Sequence, residues 1–386
     1  MKTVGIIAEY NPFHNGHAYH IAKAKALTGA SCAVIVMNGD FVQRGEPAFV
    51  SKYTRTQMAL AGGGDMIFQL PITYGISSGE DFAMGSVSLL EQLGFVDCIC
   101  FGSEDGRMES LIPYGDFFAQ ESEEYKELLG KYCREGIGYP AARQLATEAL
   151  LDTSALADLT SPNNLLGIEY LKALRRLDSS MVPYTIQREG HGYHETDSLP
   201  GKYPSATALR RSYQEGHALS QGIPEQCQGF INDALSHYQP ITLQDFSEQI
   251  YYSILEHTGQ LHEFKDVTPD LADRIENLLP DYRDVESFSS LLQSKQYTTG
   301  RIHRCLCQIL LGIKELPDGK LPLRLLGLNK EFSYLLKGRD DIIVKPAREK
   351  EALQQDFFAS HLYEHAVHRQ SGYHIGNECT HSPILI

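Results

Sequence analysis

A short segment near the start of the chain constrains the fold most. Residues Glu9-Tyr10-Asn11-Pro12-Phe13-His14-Asn15-Gly16-His17 follow an apolar run at 4–8 and precede a helical pattern. This order predicts a strand, a tight turn and a helix, which places two imidazoles and the unpaired N–H groups of the helix start at the carboxyl end of a first parallel strand. A helix start of this kind binds anions, phosphate included. The segment therefore predicts a phosphate site in an α/β protein.

His14 and His17 are the candidate catalytic residues. They lie three positions apart at the predicted helix start, so both face one ligand. In-line nucleotidyl transfer builds charge on the oxygens around phosphorus, and positioned imidazoles and backbone N–H groups stabilise that charge without a covalent nucleophile. The alternative is that the histidines only hydrogen-bond within a structural turn.

Composition and charge narrow the class of protein. A chain of 386 residues favours two domains, and no apolar stretch is long enough to cross a bilayer. Residues 1–3 lead straight into a predicted strand without a secretory pattern, so we expect a cytoplasmic protein. The net charge of −15 argues against sequence-blind binding of nucleic acid, although a local basic surface still permits a selective RNA partner. The eight cysteines form no Cys-x-x-Cys, which favours buried thiols over a zinc or disulfide framework.

Apolar runs alternate with helical patterns in the first half of the chain, as is typical of parallel strands joined by crossover helices. We predict a doubly wound, Rossmann-like α/β domain over residues 1–217, with a helical insertion at about 103–160. After residue 211 only amphipathic helical patterns appear, so we predict an all-α domain without strands over residues 218–386. The predicted strands are residues 3–8, 32–37, 66–70, 96–101 and 181–186, and the predicted crossover helices lie near 17–28, 51–61, 81–93 and 162–178.

A second candidate phosphate-binding element lies at residues 203–211, Tyr-Pro-Ser-Ala-Thr-Ala-Leu-Arg-Arg. Ser205 is a plausible N-cap, Thr207 falls in the first helical turn and Arg210 one turn later. Hydroxyls, N–H groups and a guanidinium at a helix start are suited to holding polyphosphate. The alternative is an ordinary capped helix with exposed arginines.

The two elements resemble the signatures of the HIGH-motif nucleotidyltransferase superfamily, His-x-Gly-His and Ser-Ser-Thr-x-Ile-Arg. The sequence differs from the second signature at Ala206, where a second serine is common. Residues 9–17, 43–47 (QRGEP), 101–104 (FGSE) and 162–170 (PNNLLGIEY) together resemble the bacterial tRNA(Met) cytidine acetate ligase family over the whole length. The resemblance implies a HIGH-type sheet domain followed by a helical tRNA-binding domain.

The resemblance also implies an activity. ATP activates acetate as acetyl-adenylate, and the acetyl group passes to N4 of wobble cytidine 34 of elongator tRNA(Met), with release of AMP and diphosphate. We expect Mg²⁺ to accompany ATP without a dedicated metal site on the protein. Two alternatives stay open: an adenylyltransferase acting on a small phosphorylated cofactor precursor, and a non-catalytic RNA-binding protein of the same fold.

The family's ATP-binding segment falls on residues 7–20, with separate contacts at three later positions. The expected ATP-binding residues, including those of the second element, are Ile7, Ala8, Glu9, Tyr10, Asn11, Pro12, Phe13, His14, Asn15, Gly16, His17, His20, Gly102, Asn163, Arg188, Ser205, Thr207 and Arg210.

Basic clusters are the candidate tRNA surface, although exposed charge runs are usually only solvated. The expected tRNA-binding residues are Arg211, Arg301 and Arg304, with Arg175-Arg176 and Lys337-x-Arg339 as alternatives. Several polar residues have no decided role: Asp40, the pair His191 and His194, and the helical stripe His361, His365 and His368, which we interpret as solvated or tRNA-facing in preference to metal-binding.

Overall fold

The protein is described by a computed structural model that covers residues 1–154, 156–157, 159–188 and 203–386. His191 and His194 lie outside the described residues. The strands are β1 (Thr3–Ala8), β2 (Cys32–Asn38), β3 (Phe41–Val42), β4 (Glu46–Pro47), β5 (Met66–Leu70), β6 (Cys98–Ser103), β7 (Val182–Gln187), β8 (Leu323–Leu328), β9 (Ile342–Ile343) and β10 (Ile384–Leu385).

Helices cover the sheet and form most of the second half of the chain. They are α1 (Asn15–Thr28), α2 (Lys52–Ala61), α3 (Ile72–Gly75), α4 (Gly79–Leu93), α5 (Ile112–Gln120), α6 (Glu123–Arg134), α7 (Tyr139–Leu150), α8 (Pro162–Arg176), α9 (Ala206–Gln214), α10 (Glu225–His237), α11 (Ser247–Glu256), α12 (Pro269–Leu278), α13 (Val285–Leu292), α14 (Thr299–Leu310) and α15 (Gln354–Ser371).

The large sheet confirms the predicted doubly wound α/β fold. Its order is β10-β8-β5-β2-β1-β6-β7, and the five strands from β5 to β7 are parallel. β2 is buried at every position because crossover helices cover both faces, which is why it reads as a continuous apolar run. The order reverses at β1, so the carboxyl end of β1 is the place where such a sheet binds ligands. The predicted insertion is also helical, as α5, α6 and α7 lie between β6 and β7.

The expectation that no strand follows residue 211 is wrong. Residues after 218 are mostly helical, but β8 pairs antiparallel with β5 and extends the large sheet. β9 and β10 then pair with β8. The sequence of β8, LRLLGL, is short and apolar and contains a buried Arg324, so its pattern does not separate a strand from a helix. The chain thus returns to the sheet from the helical region, and the proposed boundary near residue 218 does not separate two independent sets of strands.

A buried ionic cluster ties the end of the chain to this sheet. The Glu378 carboxylate bonds with Lys52 of α2, with Arg324 of β8 and, at 2.5 Å, with the Tyr53 hydroxyl. Lys52 also donates to Ser360 at 2.7 Å. Burial opposes the charge of Glu378, but the two cations outweigh it and lower the pKa of this carboxyl to about 2. Removing one partner leaves the others charged and buried, which is costly.

Burial bears on the expectation for the cysteines. Six of the eight cysteines are buried free thiols, in agreement with the prediction. Among the described residues, the helices include none with the length and apolar character needed to span a membrane.

The Glu378→Gln variant should be less stable than the wild type by about 3 kcal/mol or more, because Lys52 and Arg324 lose their shared anion. Chemical denaturation at pH 7 measures this, and Glu351→Gln, at an exposed position, should change stability by at most about 0.5 kcal/mol. The wild-type contribution is fully present above pH 4.5 and is lost as the pH falls towards 2. Equal stability of the two variants would contradict a stabilising role for the cluster.

Candidate active site

The first turn of α1 holds the two histidines by a reciprocal cap. The backbone N–H of Gly16 donates to Nδ1 of His14 at 3.0 Å, and the backbone N–H of His14 donates to Nδ1 of His17 at 3.2 Å. The rings stack with centroids 3.6 Å apart. Since a backbone N–H is always the donor, each Nδ1 must be unprotonated. Both neutral rings therefore carry their proton on Nε2, where it is available to a ligand.

The histidines are held neutral. Burial, together with the positive charge of Arg188, lowers the pKa of His14 to about 3. Burial, His14 and Arg188 also place the pKa of His17 well below its usual range. Burial lowers the pKa of His20 to about 4, although a bond to the Cys100 carbonyl opposes the shift. At neutral pH the site thus offers N–H donors to an anion, with Arg188 as the nearby cation.

Gly16 is required by the close approach of the His14 ring. A Cβ at position 16 would lie 2.9 Å from Cε1 and 3.1 Å from Nδ1 of His14. Both distances are shorter than nearly all real contacts of this kind, so a larger residue displaces the imidazole. The glycine of the His-x-Gly-His motif therefore sets the position of the first histidine.

The rest of the residue 7–20 segment supports the turn. Ile7 and Ala8 end β1, and buried Tyr10 packs against Phe13 and His17. Pro12 is buried beside them. The Asn11 side chain accepts from the N–H of Phe49 at 2.6 Å, and Asn15 binds the Gln221 and Gly222 carbonyls. Most of these side chains position the motif. The first N–H groups of α1 have acceptors within the protein, since Asn15 donates to the Gly222 carbonyl at 2.9 Å and His17 to the His14 carbonyl at 2.9 Å.

Glu9 and Arg55 fix the chain that leaves β1. Glu9 accepts the backbone N–H of Gln43 at 2.9 Å, and burial raises its pKa despite this bond and the field of Arg44. The buried guanidinium of Arg55 donates to the carbonyls of Glu9, Asn38, Gly39 and Val50. Sequence reasoning did not identify Arg55, because an arginine on a helix gives no sign that backbone carbonyls will surround it.

A second group of candidate residues lies beyond β6 and β7. Gly102 is the next-to-last residue of β6. A Cβ there would lie 3.0 Å from Cγ of Arg188, which directly follows β7. Asn163 donates to Glu104 at 2.6 Å, and Ser161 donates to the same oxygen at 2.8 Å. The structure thus brings Gly102, Asn163 and Arg188 to one edge, with Glu104 as an unpredicted partner that positions Asn163.

The second predicted element reaches the first through Arg210. Its Nη1 donates to the Asn11 carbonyl at 2.6 Å, and its Nη2 donates to Thr207 at 3.4 Å. The Ser205 hydroxyl accepts the N–H of Ala208 at 3.1 Å and caps α9. Ser205 and Thr207 are exposed, and the Ser205 hydroxyl is used as the cap of α9.

The predicted tRNA-binding arginines have different environments. Arg211 is exposed and pairs with Glu215 at 2.9 Å. Arg301 is half-buried and its guanidinium lies 5.2 Å from the centre of the Tyr297 ring. Arg304 is only 16% exposed and its Nε donates to Asp266 at 3.1 Å. The Nε of Arg304 is thus committed to an internal ion pair, and the expected contact of this residue with tRNA stays a prediction.

The undecided residues are now placed. Asp40 accepts the N–H of Lys52 at 3.0 Å and the hydroxyl of Ser360 at 2.8 Å, so it is part of the buried cluster around Lys52. The stripe of histidines on α15 is exposed, and the described ranges contain no group of three or more His, Cys, Asp or Glu side chains suited to a metal ion. The residues of the stripe are His361, His365 and His368.

A parallel sheet whose first strand leads through His-x-Gly-His into a helix defines a nucleotidyltransferase of the HIGH class. The family model described as HIGH Nucleotidyl Transferase matches residues 1–377. Curated relatives named tRNA(Met) cytidine acetate ligase include one from Thermoanaerobacter sp. (strain X514), 37% identical over 96% of this chain and 97% of its own length. Another, from Caldicellulosiruptor bescii, is 35% identical over 100% of this chain and 99% of its own.

Solved structures agree with the fold. TmcAL of Thermotoga maritima superposes with a TM-score of 0.92 in its apo form and 0.89 in a form bound with alpha-thio ATP, at 24% identity and over the full length of both chains. The chain belongs to the tRNA(Met) cytidine acetate ligase family within the HIGH nucleotidyl transferases, which confirms the resemblance seen in the sequence.

Replacing Gly16 by Ala should weaken ATP binding by about tenfold or more, because the new Cβ displaces the His14 ring from the ligand. Calorimetric titration with ATP measures the loss. Gly79→Ala is the matched control, since Gly79 also lies in the first turn of a helix and a Cβ there meets nothing within 4 Å. Unchanged ATP affinity in Gly16→Ala would show that the position of the His14 ring does not matter for binding.

Proposed function

We propose that this protein is an ATP-dependent ligase that activates acetate as acetyl-adenylate and transfers the acetyl group to N4 of wobble cytidine 34 of elongator tRNA(Met). The products are N4-acetylcytidine, AMP and diphosphate. The membership of the family over the whole chain carries this proposal, and the intact His-x-Gly-His site supports it. An adenylyltransferase acting on a small phosphorylated acceptor shares the phosphate motifs but is not what the curated relatives are named.

In the first step, an oxygen of acetate attacks the α-phosphorus of ATP and the bond to diphosphate breaks. Charge grows on the phosphoryl oxygens, where the Nε2–H groups of His14 and His17 stabilise it. Because both rings are neutral, they donate a hydrogen bond without releasing a proton. Arg188 supplies a fixed positive charge on the same edge.

In the second step, the N4 amine of cytidine attacks the activated carbonyl. The N–C bond forms, the bond from carbonyl carbon to the AMP phosphate breaks, and N4 loses a proton. The protein supplies proximity here, because it holds both partners at one site and needs no acyl-enzyme. Arg211 and Arg301 remain our proposed tRNA contacts. Arg304 stays a weaker candidate, because its Nε already pairs with Asp266.

We propose that Mg²⁺ binds together with ATP. The described residues provide no cluster of three acidic, histidine or cysteine ligands. A magnesium ion would therefore be held by phosphate oxygens and water, which is usual for this cation. When bound it would neutralise charge on the phosphates.

Incubation with ATP, acetate and tRNA(Met), without acetyl-CoA, should give acetylated tRNA, AMP and diphosphate. Radiolabelled acetate and thin-layer separation of the nucleotides measure both products, and leaving out tRNA should still allow acetate-dependent exchange of diphosphate into ATP. Formation of ADP and phosphate, or a strict need for acetyl-CoA, would contradict the ligase.

His17→Ala should lower acetyl-adenylate formation by about 10²–10³-fold, the size expected for losing one donor to the transition state. His14→Asn should have a similar effect. Asparagine keeps an oxygen able to cap α1 but lacks a donor at the position of Nε2, so the loss is not due to an uncapped helix. Diphosphate exchange, beside circular dichroism of each variant, tests this. Near-normal exchange in both variants would make the histidines structural.

A further inference from the structure

Hydrogen bonds hold the turn at residues 43–46 beside the proposed site. β3 and β4 pair antiparallel on either side of it, and the N–H of Gly45 donates to the Val42 carbonyl at 2.9 Å. Gln43 is fixed twice, by its N–H to Glu9 and by its side-chain amide to the Ser77 carbonyl at 3.0 Å. The Glu9 carboxylate belongs to the residue that directly follows β1. The turn therefore lies against the carboxyl end of the first strand.

Helix α14 of the C-terminal region supports the same turn from the other side. Gly45 has a φ of +73°, and a Cβ there would lie 2.2 Å from the backbone nitrogen of Arg304. The Cys307 thiol donates to the Gly45 carbonyl at 3.0 Å, and Nδ1 of His303 lies 3.7 Å from Oε1 of Glu46. The turn is thus packed directly on the backbone of α14, with no room for a side chain between them.

Arg44 is the exposed residue at the tip of this turn. Its neighbours on both sides are fixed, Gln43 to Glu9 and Gly45 to α14, so its Cα is placed beside the site. Its charge acts on both nearby carboxylates: the pKa of Glu46 is lowered by the bond from His303 and by the charges of Arg210 and Arg44, and Arg44 also opposes the effect of burial on Glu9.

The turn lies on the β2 side of β1, whereas the expected nucleotide contacts Gly102 and Arg188 lie on the β6 side. β1 has β6 on one side and β2 on the other. Gly102 and Arg188 are at the ends of β6 and β7, while α1 packs against β1 and β2 as well as against these two strands. The chain that forms the turn leaves the end of β2. A nucleotide over β1, β6 and β7 therefore leaves the β2 side to the second substrate, which in the first step is a small carboxylate.

We propose that Arg44, presented by the rigid turn on α14, binds the carboxylate of acetate and positions it for attack on ATP. This inference rests on the proposed ligase function. A guanidinium suits the task because its parallel N–H groups match the two oxygens of a carboxylate. Arg44 also offsets the charge of the neighbouring Glu46, which would repel a free anion.

The test is acetate-dependent exchange of diphosphate into ATP by the full-length protein, measured without tRNA. Arg44→Gln should raise the KM for acetate by about tenfold or more, the effect of losing one charge-assisted hydrogen bond, and leave the KM for ATP within about twofold. The Arg44→Lys variant should have an intermediate KM for acetate, because lysine keeps the positive charge but lacks the two parallel N–H groups of the guanidinium. Arg134→Gln, an exposed arginine of α6, controls for the change in net charge and should match the wild type.

Gly45→Ala tests the support from α14. The added Cβ and the positive φ displace the turn, so this variant should show the acetate defect of Arg44→Gln while circular dichroism stays native. A rise in the KM for ATP alone, or no change in Arg44→Gln, overturns the inference. Absence of acetate-dependent exchange in the wild type overturns the proposed function itself, so the two failures are distinguishable.

Discussion

The reciprocal cap of α1 is the interaction on which the site depends. A helix start leaves N–H groups without partners, and here imidazole nitrogens accept two backbone N–H groups of this turn. One arrangement of bonds therefore begins the helix, stacks the rings and leaves Nε2 of both histidines protonated. The other N–H groups of this turn, those of Asn15 and His17, donate to the carbonyls of Gly222 and His14. Each imidazole accepts a backbone N–H through Nδ1 and offers a donor at Nε2. Another capping residue in place of either histidine would therefore lose that donor.

Distant parts of the chain hold this turn in place. Arg210 of α9 donates to the Asn11 carbonyl, and Arg55 of α2 donates to the Glu9 carbonyl at 2.8 Å. α2 in turn is tied to the end of the chain, because Lys52 shares the Glu378 carboxylate with Arg324 of β8. The C-terminal residues thus stabilise the helix that positions the motif, although they lie far from it in sequence.

The helical region is also joined to the chemistry through α14. The backbone of this helix touches Gly45, and the Arg304 side chain is held by Asp266. The basic cluster Arg301-x-His303-Arg304 was interpreted as an RNA surface, but two of its members face inward, where His303 approaches Glu46 and Arg304 pairs with Asp266. The helix therefore supports the turn beside the site, whatever RNA contacts Arg301 makes.

The sequence alone determined the elements whose signals are local. The apolar run and His-x-Gly-His specify β1, the turn and α1, because strand burial, capping and the need for Gly16 all act within a few residues. It also indicated the family, through segments long enough to be specific. Only the tertiary structure decided which charges have internal partners. The sequence leaves Asp40 without a decided role and makes Arg304 a candidate tRNA contact, yet Ser360 of α15 binds the first and Asp266 the second. The tertiary structure alone placed β8 in the sheet, since antiparallel pairing with β5 joins residues more than two hundred positions apart and leaves no local pattern.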